Sequence, residues 1–141
     1  MTLLSVAQMN SQNGIEENFK IIETLIQQSK VDGAELIVFP ENFVCFAAGK
    51  QHETAAQFES IQQRLEQLAH QYQIWIVAGT LPCPYRPDGS TIADGRLRTV
   101  SLCISPEKAN TLDPEIIQIP FEDFQLVSNE QIPWALCENM L

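Results

Sequence analysis

The sequence predicts an α/β fold in which helices cross over between strands of a layered sheet. Two segments carry apolar residues at helical spacing, and they alternate with short, continuously apolar segments that are typical of buried strands. Strands that are separated by a helix pair in parallel, and parallel pairing requires such crossovers. The length of 141 residues and the hydrophobic fraction of 45% fit one globular domain.

The amino-terminal segment predicts a strand followed by a helix. Residues 3–9 are short and apolar, as in a buried strand. Asn13 and Glu16 have the spacing of a capping box at a helix start. Gly33 predicts the helix end, since glycine readily takes the left-handed conformation there. The apolar stripe of this helix consists of Ile15, Phe19, Ile22, Leu25 and Ile26.

A second strand and helix follow. Residues 35–39 are continuously apolar and predict a strand covered on both faces, which Pro40 ends. Residues 42–53 predict a loop, and Thr54 with Gln57 predicts the cap of the next helix. The apolar stripe of that helix consists of Phe58, Ile61, Leu65, Leu68 and Tyr72.

The pattern then changes from crossovers to strands in succession. Residues 74–78 predict a buried strand, residues 82–89 an irregular excursion rich in proline, and residues 97–104 another strand. Residues 107–141 contain one basic residue, Lys108, against seven acidic ones, and three prolines interrupt them. Apart from a short strand expected within 115–119, this segment predicts an irregular acidic tail.

Composition excludes several classes of function. The formal net charge of −10 leaves no excess of lysine and arginine for a phosphate backbone, so we expect no nucleic-acid partner. No apolar run is long enough to cross a membrane, and the first ten residues lack the features of a signal peptide. These observations favour a cytoplasmic protein with reduced thiols. The four cysteines and two histidines are not spaced as metal ligands, so we expect neither a metal nor a cofactor.

Glu41 is the residue on which chemistry is expected. It lies two residues beyond the strand 35–39, and ligands of open α/β sheets gather beyond the carboxyl ends of strands. Phe39, Phe43 and Phe46 surround it in sequence, and partial dehydration by these rings would make it a suitable general base. The alternative is an ordinary solvated loop carboxylate.

The order of several short motifs resembles the amino-terminal half of the nitrilase superfamily of carbon–nitrogen hydrolases. They are Ala7-Gln8-Met9-Asn10, the helix carrying Asn18, Phe39-Pro40-Glu41-Asn42, the strand ending in Gly79-Thr80, and Gly95-Arg96-Leu97 leading to Ser105-Pro106-Glu107. The resemblance implies a partial α-β-β-α sandwich of the nitrilase type over residues 1–107, followed by a divergent tail over 108–141.

The resemblance also implies a Glu-Lys-Cys mechanism on a small amide or nitrile. A cysteine thiolate attacks the carbon, a glutamate acts as base, a lysine stabilises the negative intermediate, and water releases the acyl group. Glu41 matches the glutamate, and Phe43 and Phe46 are candidates for the wall of the substrate pocket. For both phenylalanines the alternative is a core position that seals the loop.

The lysine and cysteine motifs of the family have no match in this sequence. Lys108 comes too early and lacks the basic, aromatic flanks of the family lysine. Cys137 has acidic neighbours, Cys103 belongs to a strand, Cys83 lies between prolines, and Cys45 lies in the loop after Glu41. None of them is expected to be the nucleophile, because a free cysteine is usually a small buried apolar residue.

Two functions therefore remain open. One is a hydrolase of a small amide, such as an ω-amide or a substrate of the deaminated-glutathione type. The other is a catalytically inactive product, truncated or frameshifted near Lys108, or a domain kept for binding or assembly. Half of a sandwich leaves a sheet face uncovered and strand edges unpaired, so self-association is expected in either case.

Overall fold

The computed structural model describes residues 3–107 and 117–120, and it confirms the predicted α/β class. The strands are β1 (Leu4–Val6), β2 (Leu36–Val38), β3 (Trp75–Cys83), β4 (Arg98–Ile104) and β5 (Ile117–Pro120). The helices are α1 (Ile15–Val31), α2 (Gln51–Ala55) and α3 (Phe58–Tyr72).

The five strands form one mixed sheet in the order β1-β2-β3-β4-β5. β1, β2 and β3 are parallel, as the crossovers through α1 and α3 require. β4 and β5 then add in antiparallel orientation, with a register shift between Ala78 and Leu81 of β3. β2 ends beside Val77, and β3 continues beyond it to Cys83.

The helices pack on one face of the sheet, and the core lies between them and that face. The apolar stripes predicted for α1 and α3 are the buried ones, since Phe19 and Ile22 of α1 and Ile61 and Leu65 of α3 are at most 3% exposed. These side chains belong to the same cluster as the inward residues of the strands, among them Ile37. The amphipathic pattern of each helix thus determines which sheet face it covers.

The opposite face of the sheet is partly open to solvent. Val6, Val38, Val77 and Cys103 are register partners in a row across four strands. Val6 is 73% exposed, and the other three are half-buried. The expectation that residues 35–39 are covered on both faces is therefore wrong for the described residues, which cover only the helix side.

Two local expectations also differ from the structure. Gly14, not Asn13, precedes the first residue of α1, and no side chain caps it. Thr54 does not cap the next helix but belongs to α2, whose residues 51–53 lie in the segment predicted as loop, and its hydroxyl donates to Lys50 O at 3.0 Å. The strand Ile117–Pro120 pairs with β4 and confirms the short strand expected within 115–119.

The predicted end of the first helix agrees with the structure. Gly33 has φ = +87°, the left-handed conformation expected after the helix, and its N–H donates to Lys30 O at 3.0 Å. None of the helices in residues 3–107 combines the length and the hydropathy needed to cross a membrane.

Candidate active site

Glu41 lies three residues beyond the carboxyl end of β2, beside the parallel strand β3. Beyond the ends of the regular β2–β3 pairing, Phe39 N–H still donates to Val77 O at 2.9 Å, and Glu41 forms an isolated parallel bridge with Thr80. The side chain of Glu41 is exposed. The ring of phenylalanines expected to dehydrate it is therefore not formed by the described residues.

Gly79 allows this close approach of the two strands. A Cβ atom at this position would lie within 2.6 Å of the Pro40 carbonyl carbon and would overlap the carbonyl oxygens of Phe39 and Pro40 as well. These contacts are with backbone, which cannot rotate away as a side chain could. A residue without a side chain is thus required beside the segment that carries Glu41.

Asn42 turns the chain directly after Glu41. Its φ of +49° is in the left-handed region, which asparagine tolerates better than most residues. Its backbone N–H donates to Thr80 O at 3.2 Å and to Thr80 Oγ1 at 3.1 Å. Thr80 therefore holds the turn that follows the carboxylate.

The loop after this turn is fastened by the buried side chain of Asn18 from α1. Its Nδ2 donates to Val44 O at 2.8 Å and to Gln12 O at 2.7 Å, and its Oδ1 accepts from Gln12 N–H at 3.0 Å. The Ser11 hydroxyl adds a bond to Phe43 O at 2.8 Å. One amide thus joins the segment after β1 to the segment after Glu41.

The two candidate phenylalanines occupy different environments. Phe43 is fully buried and stacks on Phe39 with the ring centroids 4.8 Å apart, which corresponds to the core position considered as the alternative. Phe46 is 67% exposed, and its backbone N–H donates to Gln12 O at 3.3 Å. Only Phe46 therefore faces a space that a ligand could enter.

That space is a cavity of about 260 Å³ between the loop after Glu41, α2 and the end of β3. Asn42, Gln51 and Thr54 supply uncharged polar groups, and Cys45 supplies a thiol. The rest of its wall consists of Phe46, Ala47, Ala48 and Pro82. Asn42 connects the cavity directly to Glu41 in the chain.

The described cysteines differ in their surroundings. Burial raises the pKa of the Cys83 thiol, and burial likewise raises that of Cys103. A raised pKa lowers the thiolate fraction at neutral pH, which is opposite to what a nucleophile needs. Cys45 is half-buried, and its Sγ lies 3.6 Å from Asn13 O. Lys108 and Cys137 are outside the described residues.

In residues 3–107 and 117–120, no three His, Cys, Asp or Glu side chains come together in a group that could hold a metal ion. The site in this part of the chain therefore consists of a carboxylate, a turn and an uncharged cavity. Sequence reasoning placed Glu41 at the strand end but missed the roles of Asn18 and Gly79. The available signals were a polar residue next to the apolar stripe of α1 and a glycine inside a strand.

Comparison with known proteins identifies the family. The sequence model described as carbon-nitrogen hydrolase matches residues 3–112. The deaminated glutathione amidase of Synechocystis sp. is 32% identical over 84 residues, which are 58% of this chain and 31% of that protein. The chain thus spans about a third of the length of this curated relative.

Solved structures share the fold. The NitFhit protein of C. elegans superposes with a TM-score of 0.63 at 23% identity, over 80% of this chain and 27% of that one. A variant of the amidase from Nesterenkonia sp. AN1, solved in complex with butyramide, superposes with a TM-score of 0.60 at 19% identity, over 73% of this chain and 38% of that one. That amidase is described as a member of the nitrilase superfamily. The predicted nitrilase-type fold is confirmed, and this chain belongs to the carbon–nitrogen hydrolase family.

Proposed function

We propose that this chain carries the general-base part of a site that hydrolyses small amides, with Glu41 as the base. The observation that supports the proposal is the location of Glu41, beyond paired parallel strands and followed by the cavity-lining turn at Asn42. This is the position at which open α/β sheets bind ligands. The family match over this segment supports the role proposed for this carboxylate.

In the proposed reaction, Glu41 accepts the proton of a cysteine thiol whose sulfur attacks the amide carbon. The C–N bond then breaks, the nitrogen leaves as ammonia after receiving a proton, and water cleaves the thioester to the acid. Glu41 is exposed in the described part of the chain, so bound substrate and the groups that complete the site must exclude water from it.

The thiol and the cation of this mechanism are proposed to come from outside residues 3–107. Cys83 and Cys103 have raised pKa values, the Sγ of Cys45 lies 3.6 Å from Asn13 O, and Lys50 is paired with Glu53 at 2.5 Å. Of the groups beyond residue 107, Lys108 and Cys137 lack the flanking residues of the family motifs. We therefore expect the chain alone not to release ammonia from amides.

A chimera tests the proposed function. In the Synechocystis amidase, the segment that aligns with this chain is replaced by residues 3–107, which leaves that protein's own remaining residues in place. We expect the purified chimera to release ammonia from small amides and the chain alone to release none. A folded chimera without activity on any amide of the panel would contradict the proposal.

The second candidate is a binding or assembly domain without catalysis, and the exposed sheet face favours it. Val6 and Leu4 on the edge strand β1 are 73% and 53% exposed among residues 3–107 and 117–120, and exposed apolar patches often mark interaction sites. Ammonia release by the chain alone that disappears in Glu41→Gln would exclude this candidate. It would also place a nucleophile and a cation among the residues after 107.

A further inference from the structure

We propose that the cavity lined by Asn42, the residue after Glu41, accepts the short, uncharged acyl group of an aliphatic amide and discriminates against an acyl group that ends in a carboxylate. The inference rests on the proposed function, because it names the substrate class of that site. It narrows the range of small amides to those in which the part remote from the scissile bond is neutral.

The wall of the cavity has no charged side chain among the described residues. The described residues that line the cavity contribute methyl, methylene, ring, amide, hydroxyl and thiol groups, and no basic side chain is among them. Recognition of a carboxylate in a confined site needs arginine, lysine or a set of convergent backbone N–H groups, since the cost of dehydrating the anion must be offset. A methyl-terminated chain has no such cost.

The lysine nearest to the cavity-lining residues in the sequence is already engaged. Lys50 precedes α2, one residue before the cavity-lining Gln51, and its Nζ lies 2.5 Å from Glu53 Oε2. A substrate carboxylate that approached this side would have to compete with an existing carboxylate partner. The pair therefore adds no net positive charge to the rim of the cavity.

The size of the cavity sets the second limit. Pockets for drug-sized ligands occupy about 300–1,000 Å³, so a cavity of about 260 Å³ suits a molecule of few heavy atoms. Phe46, Ala47, Ala48 and Pro82 supply apolar groups to its wall. Such a wall gains free energy from a short alkyl chain in proportion to the apolar area that the chain buries.

Hydrogen bonds to the loop after Glu41 help to fix the shape of the cavity. Asn18 holds Val44 O, Ser11 holds Phe43 O, and Thr80 holds Asn42 N–H. These anchors lie at residues 42–44, directly before the loop residues 45–48 that line the cavity. The loop is therefore preformed on the side that adjoins Glu41, which lowers the entropic cost of binding a small ligand.

Cys45 offers a direct measure of occupancy in the full chain, because its thiol lines the cavity. The rate at which iodoacetamide alkylates Cys45 is followed by peptide mass spectrometry, with Cys103 in the same samples as the internal control. Butyramide and succinamate are the matched ligands, since they differ only by a carboxylate in place of a methyl group.

We expect butyramide to slow the alkylation of Cys45 roughly tenfold when it is present at about ten times its Kd. Succinamate at the same concentration should leave the rate unchanged, and neither ligand should affect Cys103. Equal protection by the two amides, stronger protection by succinamate, or no protection by butyramide would each overturn the inference.

Two variants of one lining residue separate charge from size. Ala48→Lys adds a cation to the wall, whereas Ala48→Gln adds a neutral side chain that also fills space. We expect succinamate to protect Cys45 in Ala48→Lys but not in Ala48→Gln, and the same response in both variants would refute the argument from charge. Protection by butyramide together with an inactive chimera would refute the proposed function alone, and an active chimera without this selectivity would refute only the present inference.

Discussion

At the scale of single residues, the position of Glu41 depends on side chains that take no part in the proposed chemistry. Asn18 is fully buried and uses both ends of its amide to bond three backbone groups. Gly79 provides the space in which the Phe39–Pro40 backbone lies. Buried polar atoms must be satisfied and backbone overlaps cannot be relieved by rotamer changes, so both positions tolerate little change.

Replacement of Asn18 should loosen the loop after Glu41. Asn18→Asp keeps an acceptor for Gln12 N–H but loses both donated bonds, so we expect a loss of about 1–3 kcal/mol in the free energy of unfolding. Cys45, on the same loop, should be alkylated faster. Urea denaturation and thiol labelling measure the two effects.

The control for Asn18 is Thr24→Ala on the same helix. Thr24 is exposed and bonds only Lys20 O within α1, so its replacement should change the free energy of unfolding by no more than about 0.5 kcal/mol. Equal effects of the two substitutions would contradict the role given to Asn18.

Gly79→Ala should displace the backbone that carries Glu41. Because the added Cβ would overlap two carbonyl groups, we expect a loss of about 1–3 kcal/mol in the free energy of unfolding, measured in urea. In Gly14→Ala the added Cβ would meet only the mobile side chain of Glu17, and the loss should stay below about 1 kcal/mol. If Gly79→Ala left the free energy of unfolding unchanged, the two strands could separate without loss of stability, which would contradict this role of Gly79.

At the scale of secondary structure, the contact between α1 and α3 combines apolar and charged groups. The guanidinium of Arg64 on α3 lies 3.8 Å from the ring centroid of Phe19, and its Nη1 lies 2.6 Å from Glu16 Oε1. Arg64 is 37% exposed at its side chain and Glu16 is 70% exposed. Exposed ion pairs contribute little, whereas a cation over an aromatic face gains from partial dehydration.

This difference predicts unequal effects of two substitutions. Arg64→Gln should lower the free energy of unfolding by about 0.5–1 kcal/mol, because it loses the contact with the Phe19 ring. Glu16→Gln should lower it by less than about 0.5 kcal/mol. Thermal unfolding at low and high salt distinguishes the ion pair from the contact with the ring. A larger loss of stability for Glu16→Gln than for Arg64→Gln would contradict this prediction.

Periodic segments were predictable from the sequence, and boundaries set by tertiary contacts were not. The stripes of α1 and α3 repeat the helical period over several turns, so their buried faces follow directly from the pattern. α2 has only five residues, too few for a period to emerge. Asn13 has the residue type of a cap, yet α1 begins after Gly14 without any side-chain cap.

The candidate site was predictable only in part for the same reason. The position of Glu41 follows from its place after an apolar strand, which is local information. The exposure of Glu41 and the burial of Phe43 depend on which other segments pack there, and this information is not local. Pro40 and Gly79 are 39 residues apart in the sequence, and only the sheet register brings them together.

At the scale of the whole molecule, one sheet face remains apolar and open among the described residues. Val6, Leu4 and Trp75 are 73%, 53% and 39% exposed, and the edge strand β1 has one paired side. Open apolar faces and free strand edges favour association. We therefore propose that the chain self-associates through this face.

Light scattering of the purified chain tests this proposal. The wild-type chain should have a mass above 15.9 kDa that rises with concentration, and Val6→Lys should shift it towards the monomer. Val31→Lys is the matched control, because Val31 is 77% exposed at the end of α1, outside the sheet face. A wild-type chain that stays monomeric at all concentrations, or the same shift in both variants, would contradict the proposal.

We propose that Glu41 acts as the general base of an amide hydrolase site. The most direct test of this role is the kcat of the chimera with butyramide. Glu41→Gln retains the size of the side chain but removes the base, so kcat should fall by about 10²–10⁴-fold. Glu35→Gln, at the opposite end of the same strand, should leave kcat within about twofold of the parent chimera, as exposed positions outside the site do. A Glu41→Gln chimera that keeps the parent kcat would contradict the claim.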